Sequence, residues 1–153
     1  LDLIGEQRRD RNMSVILVTH DLGVVAGHTD EIAVMYGGRL VEKAPTRTLF
    51  ADMRMPYTKS LMRSIPKLED PSHTRLLTIP GRPPDLVNPP RGCRFAPRCA
   101  YARARCTEEE PPLMPAASAD HVFACWYPVG SPEFQERDAE LMATKVSVTG
   151  AGR

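Results

Sequence analysis

The sequence predicts an α/β fold that gives way to a smaller, irregular region. An unbroken apolar run at residues 14–19 (SVILVT) is rich in β-branched side chains, and it predicts a central strand buried on both faces of a parallel sheet. Two further β-rich runs flank the pair Gly37-Gly38 and predict a hairpin. Fifteen prolines, concentrated between Pro56 and Pro132, indicate a change of architecture near residue 65.

The other elements of the first 65 residues follow in order. Residues 1–11 fit the last turns of a helix, whose C-terminal arginines suit the helix dipole. After the predicted strand, Asp21 can cap a short helix at 22–26. The hairpin strands are predicted at 31–37 and 39–44, and helical segments at 45–50 and 57–65.

Composition excludes several classes of protein. The net charge is +1, so no global basic field indicates nucleic-acid binding. No apolar run approaches the roughly 20 residues of a membrane span, and no basic stub before an apolar stretch indicates a signal peptide. The sequence begins with Leu1 as if inside a helix, and its predicted central strand lacks parallel neighbours. We therefore expect a piece of a longer protein.

All four cysteines lie in one late, proline-rich stretch: Cys93, Cys99, Cys106 and Cys125. Four thiolates can ligate a zinc ion or an iron–sulfur cluster, and four thiols can also form two disulfides. The wide gaps contain neither the C-x₂-C pairs typical of zinc ribbons nor the short run of bacterial ferredoxins. Spacing alone leaves the choice open. Nearby arginines could offset the negative charge of either metal group: Arg91, Arg94, Arg98, Arg103 and Arg105.

The stretch SVILVTHDLGVVAGHTDEIAVMYGGRLVE resembles the segment that follows the Walker B strand in ABC-transporter ATPases. This resemblance implies the fold of a P-loop ABC ATPase domain, and it makes His20 the switch (H-loop) histidine. In that role His20 would sense the γ-phosphate of ATP and position the attacking water, since an imidazole can donate to a phosphate oxygen. Asp21 is interpreted as a helix cap rather than a catalytic group.

The 153 residues contain no G-x-x-x-x-G-K-[ST] phosphate loop, no LSGGQ-type segment and no Walker B acidic pair. Residues 1–65 are therefore expected to be the C-terminal part of a nucleotide-binding domain. ATP and Mg²⁺ would bind to the complete protein. This chain by itself is expected not to hydrolyse ATP, because it lacks the backbone and lysine that hold the phosphates.

IPGRPPDLVNPPRGCRFAPRC, followed by a third cysteine and HVFACW, resembles the C-terminal extension of oligopeptide/dipeptide ABC importer ATPases. The resemblance implies that residues 66–130 form this extension, which is small, irregular, proline-rich and ligated by cysteine. It further implies a four-iron, four-sulfur cluster on Cys93, Cys99, Cys106 and Cys125, with zinc as the alternative. A reducing cytoplasm argues against disulfides. The cluster is expected to be structural, with redox sensing as the alternative role.

The same resemblance implies a subunit that energises import of peptides, or in some relatives of nickel or other small solutes. Its implied partners are membrane-spanning permease subunits, a second ATP-binding subunit and, indirectly, an external peptide-binding protein, without nucleic acid. Its implied location is the cytoplasmic face of the cell (inner) membrane, as a peripheral protein. The alternative is a stand-alone four-cysteine metal-binding or interaction module without ATPase function.

A few residues around these motifs remain. His121 lies four residues before Cys125, and a surface or packing role is favoured over that of a hydrogen-bond donor to a ligand or a substitute ligand. Trp126 and Tyr127 are expected to cover the cysteine site. His28 and His73 are interpreted as surface residues. Residues 131–153 are expected to form a flexible tail, with one weak amphipathic helix at 133–144.

Overall fold

A computed structural model describes residues 1–65 and 79–149 of the chain, with side chains described up to residue 143. His73 and a short strand expected from residue 76 lie outside the described residues. Before the cysteine stretch come α1 (Asp2–Asp10), α2 (Leu22–Val25), β1 (Glu31–Tyr36), β2 (Arg39–Pro45), α3 (Thr46–Ala51) and α4 (Pro56–Arg63). Within it and after it come a 3₁₀ turn (Ala96–Arg98), α5 (Ala104–Glu108), β3 (Met114–Pro115), β4 (Val122–Phe123) and α6 (Pro132–Thr149).

The predicted hairpin is confirmed. Strands β1 and β2 pair antiparallel, with Tyr36 opposite Arg39 across a two-residue turn. Gly37 and Gly38 have φ angles of 55° and 77°, the left-handed region that glycine adopts without a steric penalty. Two consecutive left-handed residues suit the right-handed twist of the strands, so the Gly-Gly pair places this turn.

A β-bulge in this hairpin decides which side chains face inward. Val34 lies opposite Glu42 and Met35 lies opposite Leu40, so Val41 is an extra residue on β2. As a result two consecutive residues, Val41 and Glu42, are both buried, although neighbours on a regular strand point to opposite faces. The bulge therefore brings the carboxylate of Glu42 into the interior.

The sheet joins the hairpin to the cysteine-bearing segment. Its strand order is β1-β2-β4-β3, and all its pairs are antiparallel. Glu42 of β2 lies opposite Phe123 of β4, and the backbone N–H of Ala124 donates to the carbonyl of Val41 at 2.8 Å. This ladder fixes the chain immediately before Cys125 against the hairpin.

Apolar side chains from both halves of the chain share one core, which includes three aromatic rings in mutual contact. Tyr36 of β1, Tyr57 of α4 and Phe95 have ring centroids 4.6–5.2 Å apart at tilted or edge-on angles. Leu49 and Met55 are almost fully buried in the same core. Burial of these large side chains supplies most of the stabilising free energy of this small unit.

The segment expected to be a flexible tail is helical where it is described. Near the start of α6, Phe134 is 3% exposed and stacks on Tyr101 at 4.1 Å between ring centroids. Tyr101 donates a hydrogen bond of 2.6 Å to Asp138, whose other oxygen lies 3.8 Å from the Lys59 ammonium. These contacts attach the first turns of α6 to α4 and to the cysteine stretch.

The buried central strand predicted at residues 14–19 does not form in this structure. Residues 13–19 have no regular secondary structure, and they are exposed, with Ile16 at 93% and Val18 at 91%. A strand needs a hydrogen-bonded neighbour, and none of the described residues pairs with this stretch. The apolar pattern is present, but the surface that would cover it is not among residues 1–65 and 79–149.

Within the described residues, none of the helices combines the length and the apolar character that crossing a bilayer requires.

Candidate functional site

The four cysteines predicted to act together line one cavity. Cys99 follows the 3₁₀ turn, Cys106 lies on α5, and Cys125 comes two residues after β4. The backbone N–H of Cys93 donates to the carbonyl of Cys106 at 2.8 Å, which holds the first and third cysteines side by side. All four are free thiols.

Gly92 allows this close approach of two segments. A Cβ atom at this position would lie 2.4 Å from the carbonyl oxygen of Cys106 and 2.6 Å from the carbonyl carbon of Thr107. Because both contacts involve backbone atoms, a side chain could fit only if α5 moved away. The close packing of these two segments therefore requires a glycine immediately before Cys93.

The thiols lie in a desolvated environment. Burial raises the pKa of Cys93, against hydrogen bonds from the backbone N–H groups of Phe95 and Ala96 that lower it. Burial likewise raises the pKa of Cys99 to about 12 and raises that of Cys125. The neighbouring cysteines contribute to each rise, which places the four sulfurs within electrostatic reach of one another. Without a metal, these three thiols are neutral near pH 7.

The four cysteine sulfurs are the candidate ligand atoms of the cavity. Among the described residues, no histidine, aspartate or glutamate lines it, and its other polar side chains are Tyr101, Trp126 and Tyr127. Its free volume is about 20 Å³, room for about one water molecule. Across residues 1–65 and 79–149, no three His, Cys, Asp or Glu side chains are grouped as ligands of a single ion. The donor type suits zinc or iron–sulfur, and a four-iron cluster would require the loops to move apart.

Trp126 and Tyr127 line the cavity, in agreement with the prediction that they cover the cysteines. The Trp126 indole donates to the carbonyl of Glu109 at 3.0 Å. The guanidinium of Arg105 stacks 3.5 Å from the Trp126 ring centroid and pairs with the Glu109 carboxylate at 2.9 Å. The indole is thus held against α5 both by its N–H and by its ring face.

The arginines near the cysteines make structural contacts of their own. Arg98 donates to the carbonyls of Ile79 and Pro80, at 2.8 and 2.9 Å, and to the hydroxyl of Tyr36 at 3.2 Å. Arg94 donates to the carbonyl of Gly37. These bonds tie the cysteine stretch to residues 79–80 and to the hairpin turn, so the two arginines position the loops in addition to carrying charge.

Sequence reasoning missed the partner of His121. This histidine is 1% exposed, and its Nε2 lies 2.9 Å from Oε1 of Glu42, which is fully buried. The two Glu42 oxygens also accept the backbone N–H groups of Arg54 at 2.5 Å and Met55 at 3.1 Å. His121 is the donor of this contact in the tautomer that carries its proton on Nε2.

Of the two roles favoured for His121, surface or packing, the structure shows packing, and this histidine does not line the cysteine cavity. The Glu42 carboxylate connects β2, the start of α4 and the loop before β4. A glutamate in a run of strand residues gave no sign of this in the sequence, because a regular strand would have placed Glu42 and Val41 on opposite faces.

The structure places His20 at the end of the exposed stretch 13–19, and it does not line the cysteine cavity. Beside it, Asp21 accepts the backbone N–H of Gly23 at 2.8 Å and caps α2, as predicted. The Thr19 hydroxyl accepts the N–H of Asp21 at 3.0 Å. His20 itself is exposed, and so is His28. The prediction that His28 is a surface residue is confirmed.

The raised thiol pKa values predict how the stability of the metal-free chain depends on pH. Cys99 has a pKa near 9 when unfolded and about 12 when folded, so above pH 9 the unfolded state binds fewer protons. The free energy of unfolding is therefore expected to fall as the pH rises from 9 to 10, and Cys93 and Cys125 act in the same direction. Urea unfolding of metal-free chain at a series of pH values measures this.

A Cys99→Ala variant is the control for that series, and it should show a shallower fall over the same interval. The interval stops at pH 10 because tyrosine side chains, whose ordinary pKa is 10.0, ionise above it. An unfolding midpoint in urea that stays constant from pH 9 to 10 would contradict the buried, neutral state of the thiols.

Residues 41–106 match a known protein family, described as "Oligopeptide/dipeptide transporter, C-terminal region". This match covers the inner strand β2, much of the aromatic core and three of the four cysteines. Curated relatives agree with this family.

The oligopeptide transport ATP-binding protein OppD of Mycobacterium tuberculosis is 46% identical over 125 residues, which are 82% of this chain and 20% of that protein. OppD of Bacillus subtilis is 43% identical over 122 residues, 80% of this chain and 34% of the relative. OppD of Salmonella typhimurium is 41% identical over 129 residues, 84% and 38% respectively. The chain is similar to the C-terminal region of oligopeptide/dipeptide transporter proteins.

The chain thus spans between about a fifth and two fifths of the length of these relatives. Their names describe ATP-binding proteins of oligopeptide transport. The alternative of a stand-alone cysteine module without a link to ATP is not favoured by this similarity.

Proposed function

We propose that this chain works as part of an ATP-binding subunit that energises the import of peptides. The observation that carries the proposal is the 41–46% identity, over about four fifths of the chain, with proteins named for ATP binding in oligopeptide transport. Identity at this level over more than 120 residues implies a common fold and a related role. The phosphate-binding loop would be supplied by the rest of the subunit, since the 153 residues contain none.

His20 is proposed as the residue that contacts the γ-phosphate. Its imidazole is exposed, and the capped helix α2 that follows it keeps the backbone at this point in one geometry. The neighbouring stretch 13–19 exposes large apolar side chains, which is the surface that a larger domain would cover. In the assembled subunit residues 14–19 would form the buried strand, and His20 would lie at its carboxyl end, where open α/β sheets bind ligands.

The four cysteines are proposed to hold an iron–sulfur cluster with a structural role. Supporting this are the shared cavity, the absence of histidine and carboxylate side chains among its described lining residues and the N–H groups directed at Cys93. A cluster supplies four metal–sulfur bonds that tie together the loop around residues 93–106 and the end of β4. Zinc is the alternative, and metal and sulfide analysis of anaerobically purified protein separates the two.

The proposed partners are membrane-spanning permease subunits, a second ATP-binding subunit and an external peptide-binding protein. The subunit would sit peripherally on the cytoplasmic face of the membrane. Support for this arrangement comes from the transport names of the relatives.

A histidine exchange tests the importer function. In cells that depend on this subunit for uptake of a labelled peptide, His20→Ala is expected to abolish ATP-driven uptake. Removing a γ-phosphate contact and the positioning of the attacking water costs about 10²-fold or more in turnover. The matched control is His28→Ala, since His28 is also exposed and lies eight residues away. Its uptake should equal that of the unmodified protein.

The result that would overturn the proposal is peptide uptake that survives deletion of the gene, or uptake that His20→Ala leaves unchanged. Equal loss in both histidine variants would also count against it, because a general folding defect would then explain the result. Immunoblotting of membrane fractions checks that the variants accumulate equally.

A further inference from the structure

Cys93 differs from the other three cysteines because it faces two separate spaces. It lines the inner cavity together with Cys99, Cys106 and Cys125. It also lines an outer cleft of about 400 Å³, to which the other three cysteines do not contribute. One thiol of the set is therefore in contact with both the interior of the site and an open volume.

The outer cleft is large enough to admit a small molecule. Its volume lies within the range of small-molecule binding sites, about 300–1,000 Å³. Leu40 and Val41 of β2 form part of its wall. An ion pair between Arg39 and Glu110, 3.4 Å apart, lies at the cleft, with the two side chains 58% and 44% exposed. Exposed ion pairs contribute little free energy, so this contact can open at low cost.

Two of the other cysteines, Cys106 and Cys125, are buried, whereas Cys99 is half-buried like Cys93. Cys106 and Cys125 are 8% and 9% exposed. Trp126, held by Glu109 and stacked on Arg105, lines the inner cavity but not the cleft. A reagent in solution would therefore reach these two thiols only after local opening of the structure.

We propose that the outer cleft is the entrance through which small thiols and metal chelators reach the four-cysteine site, and that Cys93 is the cysteine they meet first. The proposal rests on the function proposed above for the four cysteines. If a metal is bound there, Cys93 would be the ligand that an entering thiol or chelator reaches first, and its replacement by another thiolate would involve no change of oxidation state.

The order of alkylation in the metal-free full chain tests the entrance. Under native conditions the chain is treated briefly with iodoacetamide, and each cysteine is quantified by peptide mass spectrometry. Cys93 is expected to react at least about tenfold faster than Cys106 and Cys125, because these two buried thiols depend on opening. Reaction of either of these two at the rate of Cys93 would overturn the proposal.

Two leucine substitutions test whether the rate of Cys93 alkylation depends on access through the outer cleft. Leu113 lines the cleft and is 46% exposed, so Leu113→Trp should partly fill it and slow alkylation of Cys93 several-fold. Leu86→Trp is the matched control, since Leu86 is 60% exposed and does not line the cleft. An unchanged Cys93 rate in folded Leu113→Trp would show that reagents enter elsewhere.

The same assay separates this inference from the proposed metal site. After loading with iron and sulfide, or with zinc, all four cysteines should be protected from iodoacetamide. If loading protects none of them while Cys93 still reacts faster than Cys106 and Cys125, the metal site is wrong and the entrance stands. If loading protects all four but Cys93 reacts no faster than Cys106 and Cys125 in the metal-free chain, the entrance is wrong and the metal site stands.

Discussion

If the four cysteines hold the proposed metal group, Cys125→Ser is expected to remove it together with most of the stability that it gives to the cysteine stretch. Cys125 follows β4 and is the one proposed ligand that would join the metal to the sheet, while the other three lie between residues 93 and 106. In small zinc-binding units the metal contributes about 10 kcal/mol or more to folding, and loss of one of four ligands forfeits a large part of that. Metal analysis and thermal unfolding of the purified chain measure the effect.

The control for this variant is the metal-free chain. Serine in place of a buried thiol costs about 1 kcal/mol by itself, because a hydroxyl is buried without an assigned partner. The difference in melting temperature between Cys125→Ser and the unmodified chain should therefore be large with metal and small after chelation. A variant that retains the full metal content, or a difference that chelation leaves unchanged, would show that Cys125 is not a ligand.

Glu42→Gln is expected to destabilise the chain by about 3 kcal/mol, although the change removes no atoms from the core. The carboxylate accepts hydrogen bonds from the backbone of Arg54, from the backbone of Met55 and from the ring of His121. A glutamine amide replaces one acceptor oxygen by an NH₂ donor, so at least one buried N–H loses its partner and faces another donor. Urea unfolding of the two proteins gives the difference in free energy.

Glu31→Gln is the matched control. Glu31 lies on the adjacent strand and pairs with Lys43 at 3.1 Å, but the two side chains are 48% and 40% exposed. Loss of such a surface pair changes stability by less than about 1 kcal/mol. If Glu42→Gln were no more destabilising than Glu31→Gln, the buried network would not hold the hairpin, α4 and the loop before β4 together.

The stability effects of changes at Glu42 and His121 are expected to be coupled, because the two side chains are in contact. His121→Ala alone leaves a buried carboxylate short of one donor, whereas in a Glu42→Gln background it removes a contact that is already impaired. The double change should therefore cost less than the sum of the two single changes, since the residues share one network. Additive costs would indicate that the two side chains act independently.

Several elements could be predicted from local sequence because local chemistry decides them. Gly37-Gly38 placed the hairpin turn through its tolerance of positive φ, and Asp21 placed the start of α2 by accepting the N–H of Gly23. The four cysteines, grouped between residues 93 and 125, indicated a common site, and the structure places all four around one cavity. Each of these inferences depended on residues close together in the chain or on an unusual residue type.

The exposed stretch 13–19 shows where local pattern fails. Its β-branched run has the composition of a buried strand, but a strand exists only when another segment supplies hydrogen bonds and covers its faces. Among residues 1–65 and 79–149 no segment does so, and the side chains of Ile16 and Val18 stay in solvent. The composition of residues 13–19 makes a strand possible, but no described segment pairs with them, so they stay exposed and irregular.

The sequence by itself determined the hairpin, the start of α2, the cysteine set and the family resemblance, because each depends on local chemistry or on a specific order of residues. Only the tertiary structure decided that β4 extends the hairpin sheet, that the bulge at Val41 turns Glu42 inward, and that His121 meets it 79 residues later in the chain. Such contacts depend on register and on distant segments, which no local pattern encodes. The same is true of Cys93, whose position between cavity and cleft follows from packing alone.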